Sequence, residues 1–365
     1  MRGEAGSSVK VELKRGNQIV TTSIKRGMIP KYAIDAAYMM DATTGFIHLK
    51  IFSRTSYEEF MAALEKLQKQ GMKKLVFDIR GNGGGILEEA VDIADEFLDS
   101  TRLVLYTEGL HAARREYFCK RRGLFEQGEL VLLIDEFSAS ASEVLAGALQ
   151  DWDRATIIGR RSFGKGLVQE PFDLSDGSQI RLTVSKYYTP SGRNIQKPIS
   201  ADHSAYSDEV YDRFHNGQAY AQDTTHTGKA YRTKLKNRIV YGGGGISPDI
   251  FIPLDSARFN SGISGLALSK YLYEYYVNHI SSFSQFKTAA DFEKGFSVTK
   301  ADWEEIKAYA RRDSVNTTAI DTVNLEELNQ RFMTLMALQI WRQQGFYEIA
   351  NRQDKAVLKA REILK

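Results

Sequence analysis

From Phe46 onward the chain alternates short apolar runs with longer amphipathic ones, and this alternation restricts the fold more than any other feature. Phe46–Ile51, Leu75–Ile79, Leu103–Tyr106 and Val131–Ile134 have the length and composition of strands. Thr55 and Glu58 have the spacing of a capping box that opens a helix, with Phe60, Leu64 and Leu67 on one face. Ile86–Leu98 and Ser140–Leu149 predict two further helices, and Ile180–Tyr188 alternates like a strand. Strands interleaved with helices predict a layered α/β core.

The flanks read differently. Val9, Val11 and Leu13 alternate with polar residues, and Val20, Thr22 and Ile24 repeat the pattern after Gly16-Asn17. Two strands are predicted there. Residues 200–240 are polar and read as a long insertion. Beyond Asp255 the pattern turns helical. Asn324 and Glu327 make a second capping box, and Leu328, Phe332, Leu335 and Leu338 follow at helical spacing. A chain of 365 residues suits about two domains and can bury a full core.

Several function classes drop out on composition. Lys and Arg total 49 against 46 Asp and Glu, a net charge of +3, which gives no basis for a nucleic-acid or membrane-surface partner. The longest apolar runs are far too short for a membrane span. Cys119 stands alone, so neither an intrachain disulfide nor a thiolate zinc site is expected. The histidines His203, His215 and His226 lack metal-ligand spacing, and His48 is expected to be a packing or surface residue. No metal or other cofactor is expected.

Ser140 and Lys165 carry the chemical signal. Ser140 lies in Phe137-Ser138-Ala139-Ser140-Ala141-Ser142-Glu143, after a strand and at the head of a helix. As S-x-x-E it is also an ordinary N-cap. The two readings are compatible, because amide dipoles at a helix N-terminus stabilise developing negative charge. Ser138 and Ser142 compete for the same role. A serine becomes a nucleophile when a base removes its proton, and an uncharged lysine can serve. Phe163 and Leu167 would flank Lys165 with apolar surface. The lysine could equally be a solvated surface residue. Gly159 to Lys165 also approaches a P-loop, but Gly166 stands where Ser or Thr should bind magnesium, and Leu167–Phe172 reads as a strand where a helix is required. Gly83-Gly84-Gly85 does not complete a dinucleotide fingerprint. Arg114, Arg115, Lys120, Arg121 and Arg122 read as a solvated hairpin or helix face, with capture of a substrate carboxylate as the alternative.

Over roughly residues 1–255 these motifs, in this order, resemble the C-terminal processing peptidases, also called tail-specific proteases. The carriers are Leu75 to Gly85, Ser138 to Asp151, Gly159 to Gln169, Thr189-Pro190-Ser191-Gly192-Arg193 and Gly245-Ile246-Ser247-Pro248-Asp249. Gly83 departs from the Pro or Ser often found there. The resemblance implies a serine endopeptidase with Ser140 as nucleophile, Lys165 as general base, Gln169 orienting the lysine, and the Gly84 and Ala141 amides as oxyanion hole. It implies an α/β core like the ClpP/crotonase fold over residues 28–255. Residues 1–27 would be the end of a PDZ domain, and 256–365 a helical region. It further implies protein or peptide substrates with free C-termini, and an exported, periplasmic or cell-envelope location with the leader not among these residues. Homo-oligomerisation stays open. The rival reading is a catalytically silent peptide- or apolar-ligand-binding module on the same fold.

Overall fold

A computed structural model describes residues 1–15, 18–28, 31–199, 203–221, 228–254, 265–317 and 325–365. It divides into two units, Met1–Tyr32 and Ala33–Lys365. In the first, β1 (Ser8–Arg15) pairs antiparallel with β2 (Gln18–Lys25), placing Val9 opposite Ile24 and Leu13 opposite Val20. The alternation predicted both strands. The Gly16-Asn17 turn lies outside the described residues. Leu13, Ile19, Val20 and Ile24 are exposed, as befits a two-stranded ribbon with little to pack on.

The second unit opens with the hairpin of β3 (Ile34–Met39) and β4 (Thr44–Leu49), then α1 (Ser56–Lys69), β5 (Lys74–Asp78) and α2 (Leu87–Asp95). β6 (Leu103–Glu108) and β7 (Arg115–Phe118) follow, then β8 (Glu129–Ile134), α3 (Ala141–Asp151) and β9 (Thr156–Gly159). A long hairpin, β10 (Leu167–Asp173) and β11 (Gln179–Tyr188), precedes α4 (His203–His215), β12 (Ala230–Arg232), β13 (Ile239–Tyr241) and β14 (Ile250–Phe251). The helices α5 (Gly265–Asn278), α6 (Ile280–Phe283), α7 (Ala289–Gly295), α8 (Lys300–Arg312), α9 (Leu325–Ala350) and α10 (Lys355–Ile363) end the chain.

The main sheet has the order β14-β9-β8-β5-β4-β3, parallel throughout except for the antiparallel edge strand β3. Its strands are apolar runs because both faces are covered. Ile47, Leu75, Phe77, Leu130, Leu132, Ile134 and Ile157 pack with α1, α2 and α3 on one face. Phe46, Val76, Val131, Leu133 and Ile158 face the other way and meet Ala356, Val357, Ala360 and Leu364 of α10 and its end. This alternation within apolar runs is the period of two of a strand. A second sheet, β10-β11-β6-β7, is antiparallel.

The predicted helix after Thr55 forms, with Phe60, Leu64 and Leu67 buried, but its capping box does not. Thr55 is the N-cap, but its side chain makes no capping hydrogen bond; its hydroxyl donates to Glu59 Oε1 at 2.7 Å, while Glu59 Oε2 accepts the Ala33 and Ile34 amides at 2.7 and 3.0 Å. Glu59 is thus drawn to the incoming β3, a tertiary demand that outweighs the local cap. Asn324 of the second predicted box lies outside the described residues. The basic cluster falls on the β6–β7 hairpin region: Arg114 stacks over Tyr106 and pairs with Glu116 at 2.6 Å, and Arg121 stacks over Tyr57. The polar insertion contributes α4 and the β12–β13 ribbon.

The last helices have a core of their own, including Leu272, Phe283, Phe292, Trp303, Ile306, Phe332 and Met336. They also hold the main sheet. α9 kinks at Trp341 and Arg342, the latter at φ 58°. Beyond the kink Gln344 Oε1 accepts the Ala37 amide at 3.0 Å, and Tyr347 stacks on the buried His48 with its hydroxyl 3.0 Å from Nε2.

Candidate active site

The end of β8 and the head of α3 set the geometry. Ser140 is the N-cap of α3 and sits at φ 58°, ψ −116°, a backbone region that residues with a side chain avoid. Such strain persists only where the surroundings fix it. Here they do. Glu143, one turn into α3, closes the S-x-x-E relation by accepting the Ser140 amide on Oε2 at 2.9 Å. Asp135 Oδ1 accepts the Phe137 and Ser138 amides, both at 3.1 Å, and the Gly81 amide at 2.9 Å.

The three serines separate cleanly. Ser138 is buried and donates its hydroxyl to the Ile79 carbonyl at 2.9 Å. Ser142 is buried and donates to the Asn82 carbonyl at 2.8 Å. Both knit the loop after β8 to the glycine turn after β5. Ser140 alone keeps part of its surface open.

The glycine turn approaches Ser140 as closely as backbone allows. A Cβ on Gly84 would stand 2.6 Å from the Ala139 carbonyl oxygen and 2.8 Å from Ser140 Cβ, and Gly84 adopts φ 96°. Only glycine fits there. The Gly84 amide donates to Asn82 Oδ1 at 2.9 Å, and Asn82 is itself buried and anchored to the Leu49 carbonyl at 2.9 Å. The Ala141 amide has no hydrogen-bond partner among the described residues. Of the two expected oxyanion donors, one is open and the other is held by a neighbour.

Lys165 reaches the site through its backbone. Glu143 Oε2 also accepts the Lys165 amide at 2.8 Å, and Oε1 accepts the Gly164 amide at 2.7 Å and the Ser162 hydroxyl at 2.5 Å. Burial pushes the Glu143 carboxyl above the ordinary range, against these four donors, which pull it down. Tyr187, buried in β11, donates its hydroxyl to the Lys165 carbonyl. Burial beside Glu143 raises the Tyr187 phenol far above its ordinary value, so it stays a neutral donor. Among the described residues no hydrogen bond or ion pair engages Lys165 Nζ. Gln169 is exposed on β10, past a bulge between Val168 and Gln169, and its side chain makes no hydrogen bond among the described residues. The structure therefore gathers Ser140, Ala141, Gly84 and the Lys165 segment, and leaves the Gln169 side chain outside the cluster.

Local pattern marks Glu143 only as a cap, and singles out neither Tyr187 nor Asn82. Tyr187 fell within a predicted strand, and its inward position on β11 was the one available signal. The strand Leu167–Asp173 after Lys165 disposes of the P-loop reading, which requires a helix. Thr189 to Arg193 forms a turn behind α3, where buried Arg193 pairs with buried Asp151 at 2.8 Å. Asp249 accepts the Ile157 amide at 2.8 Å, fixing β14 beside β9. No group of three or more His, Cys, Asp or Glu residues with metal-holding geometry occurs among the described residues.

Residues 43–205 match the family model of Peptidase family S41. The chain is also similar to carboxyl-terminal processing proteases. The chain is 37% identical over 202 residues to the carboxyl-terminal-processing protease of Synechocystis sp. (strain ATCC 27184 / PCC 6803 / Kazusa), covering 54% of this chain and 47% of that one. It is 34% identical over 200 residues to the carboxy-terminal processing protease CtpA of Bacillus subtilis (strain 168), covering 54% and 42%. The chain spans about half the length of the curated relatives it matches. Among solved structures it aligns with a photosystem II D1 C-terminal processing protease at 29% identity and a TM-score of 0.43, covering 68% of this chain and 56% of that one.

Proposed function

We propose that this protein is a serine endopeptidase working by an acyl-enzyme mechanism. One observation carries the reading: Ser140 is the member of its serine cluster left open, on a strained elbow whose amide shares a carboxylate oxygen with the Lys165 amide. Ser140 Oγ attacks the substrate carbonyl. Lys165 takes its proton and returns it to the leaving amine, and water then releases the acyl group. The Ala141 amide receives the developing oxyanion, with Gly84 joining if its bond to Asn82 exchanges. Gln169, exposed on β10, is assigned to hold the lysine amine once substrate covers the site. Nothing in these steps calls for a metal.

Substrates are proposed to be proteins presented by a free C-terminus, and the core to be of the ClpP/crotonase type. β1 and β2 are proposed to close a PDZ domain that delivers tails to Ser140, in an exported protein. No helix among the described residues is long and apolar enough to cross a membrane.

The competing reading, a silent peptide-binding module, is favoured by the lack of a hydrogen bond from Lys165 Nζ to Ser140 among the described residues. Incubation with an unfolded protein, mass analysis of the fragments, and labelling by a serine-directed probe separate the two. Fragments and labelling that both vanish in Ser140→Ala support the peptidase. Binding of peptide without either supports the module.

A further inference from the structure

The segment that carries Lys165 is gripped from a second side, by a helix that runs on beyond the family match. α4 begins at His203, within the polar insertion, and the family match covers residues 43–205. Arg213, on the last turn of α4, is buried. A guanidinium has five N–H donors in a fixed plane, and all five of its hydrogens are accounted for. Nη1 donates to the Arg161 and Ser162 carbonyls at 3.0 and 2.9 Å, and Nη2 to the Phe163 carbonyl at 3.3 Å. Nε and Nη2 each donate to Glu209, one turn earlier on α4, at 2.8 Å. Three consecutive carbonyls just before Gly164-Lys165 are thereby held by one side chain.

Glu209 is the pivot of the contact. Besides Arg213 it accepts Lys197 Nζ at 3.0 Å and Arg161 at 3.3 Å. Lys197 Nζ lies 3.9 Å from the centre of the Phe163 ring and 4.5 Å from that of Tyr206, on α4. Phe137, three residues before Ser140, stacks on Phe214 of α4 at 6.3 Å. The opposite flank of the same segment is held by Glu143, through the Gly164 and Lys165 amides, and by Gln196, through the Gly166 amide at 2.8 Å. The segment is clamped between the core and the insertion.

We propose that Arg213, oriented by Glu209, is a positioning residue that makes the reactivity of Lys165 depend on docking of α4. It touches neither substrate nor reacting atoms. It acts through the carbonyls of Arg161, Ser162 and Phe163. The inference rests on the peptidase reading above. A lysine in place of Arg213 would keep a charge but lose the planar fork that reaches three carbonyls and a carboxylate together.

The test compares wild type, Arg213→Ala, Arg213→Lys and Glu209→Gln, as the whole chain, in hydrolysis of a labelled unfolded protein and in hydrogen exchange of the peptide spanning residues 160–168. Arg213→Ala is expected to lower kcat about tenfold or more with KM little changed, since small misplacements of a reacting group cost this much. Exchange at Gly164 to Gly166 should quicken while the main-sheet strands keep their protection. Added methylguanidine should restore part of the rate to Arg213→Ala, and Arg213→Lys should not. Glu209→Gln, a milder change at a partly exposed residue, should move both readouts the same way. A folded Arg213→Ala with wild-type kcat and wild-type exchange in this segment would overturn the proposal. So would faster exchange across the whole sheet, which would make Arg213 a general stabilising residue. If wild type itself shows no Ser140-dependent hydrolysis, the peptidase reading fails, and unchanged exchange at Gly164 to Gly166 in Arg213→Ala and Glu209→Gln would still refute the clamp.

Discussion

The Glu143 carboxylate holds Lys165 by its backbone: Oε2 accepts the Lys165 amide at 2.8 Å, and the same oxygen takes the Ser140 amide at 2.9 Å. One buried oxygen thus fixes the separation of the two segments proposed to react. Glu143→Gln keeps the volume but turns one oxygen into a donor that faces donors. A buried donor left unmatched costs about 1–3 kcal/mol. The variant should therefore melt at lower temperature and lose at least about tenfold in kcat. Thermal unfolding beside initial rates measures both, and wild-type values in both would show that this oxygen is not what registers the site.

Ser140→Ala and Lys165→Ala should each abolish hydrolysis and leave the fold intact. Ser140→Gly should be equally inactive but more stable than Ser140→Ala. The elbow at φ 58°, ψ −116° strains any residue with a Cβ, by about 1–3 kcal/mol, and glycine adopts it freely. Equal melting temperatures for the glycine and alanine variants would mean that the elbow is unstrained.

The clamp on α4 has an acid limit. Burial alone would raise the Glu209 carboxyl, but Arg213 and Lys197 outweigh it and bring it down to about 2, from an ordinary 4.5. Above the ordinary value Glu209 is charged whether the chain is folded or not, and its full contribution to stability is present. As pH falls from near 4.5 toward 2, the unfolded chain takes up a proton that the folded chain refuses, and the contribution is lost. The groups it faces are Arg161, Lys197 and Arg213. The stability gap between wild type and Glu209→Gln should therefore shrink as pH is lowered from 7 to about 3. A gap that is constant over that range contradicts the assignment.

Asp354 joins the last helix to the sheet. It caps α10 by accepting the Ala356 and Val357 amides, both at 3.0 Å, and pairs with Arg80 at 3.0 Å, which also holds Asp78 at 2.6 Å. Asp354→Asn can keep the cap and loses the ion pair, whereas Asp354→Ala loses both. The alanine variant should be the less stable by about 1 kcal/mol, the value of a cap. Equal denaturant midpoints would show that the cap contributes nothing.

The sequence by itself determined the elements of the core, because each is written in local pattern. Apolar runs such as Val131–Ile134 became strands, Phe60, Leu64 and Leu67 became one buried helix face, and Ser140 and Lys165 stood out by motif. It also carried the family resemblance that the match over residues 43–205 bears out. Tertiary structure alone decided what joins those pieces. Glu143 looked like a cap and proved to bridge two segments. The Thr55 hydroxyl looked like a cap and instead donates to Glu59, whose other oxygen accepts the Ala33 and Ile34 amides. α10 had nothing in its sequence to place it against Val76, Val131 and Leu133, nor α4 to place Arg213 under the lysine segment. The physical reason is range. Periodicity and capping act within a few residues, whereas a buried carboxylate or guanidinium is satisfied by whichever backbone groups the fold brings to it, and their distance along the chain leaves no local trace.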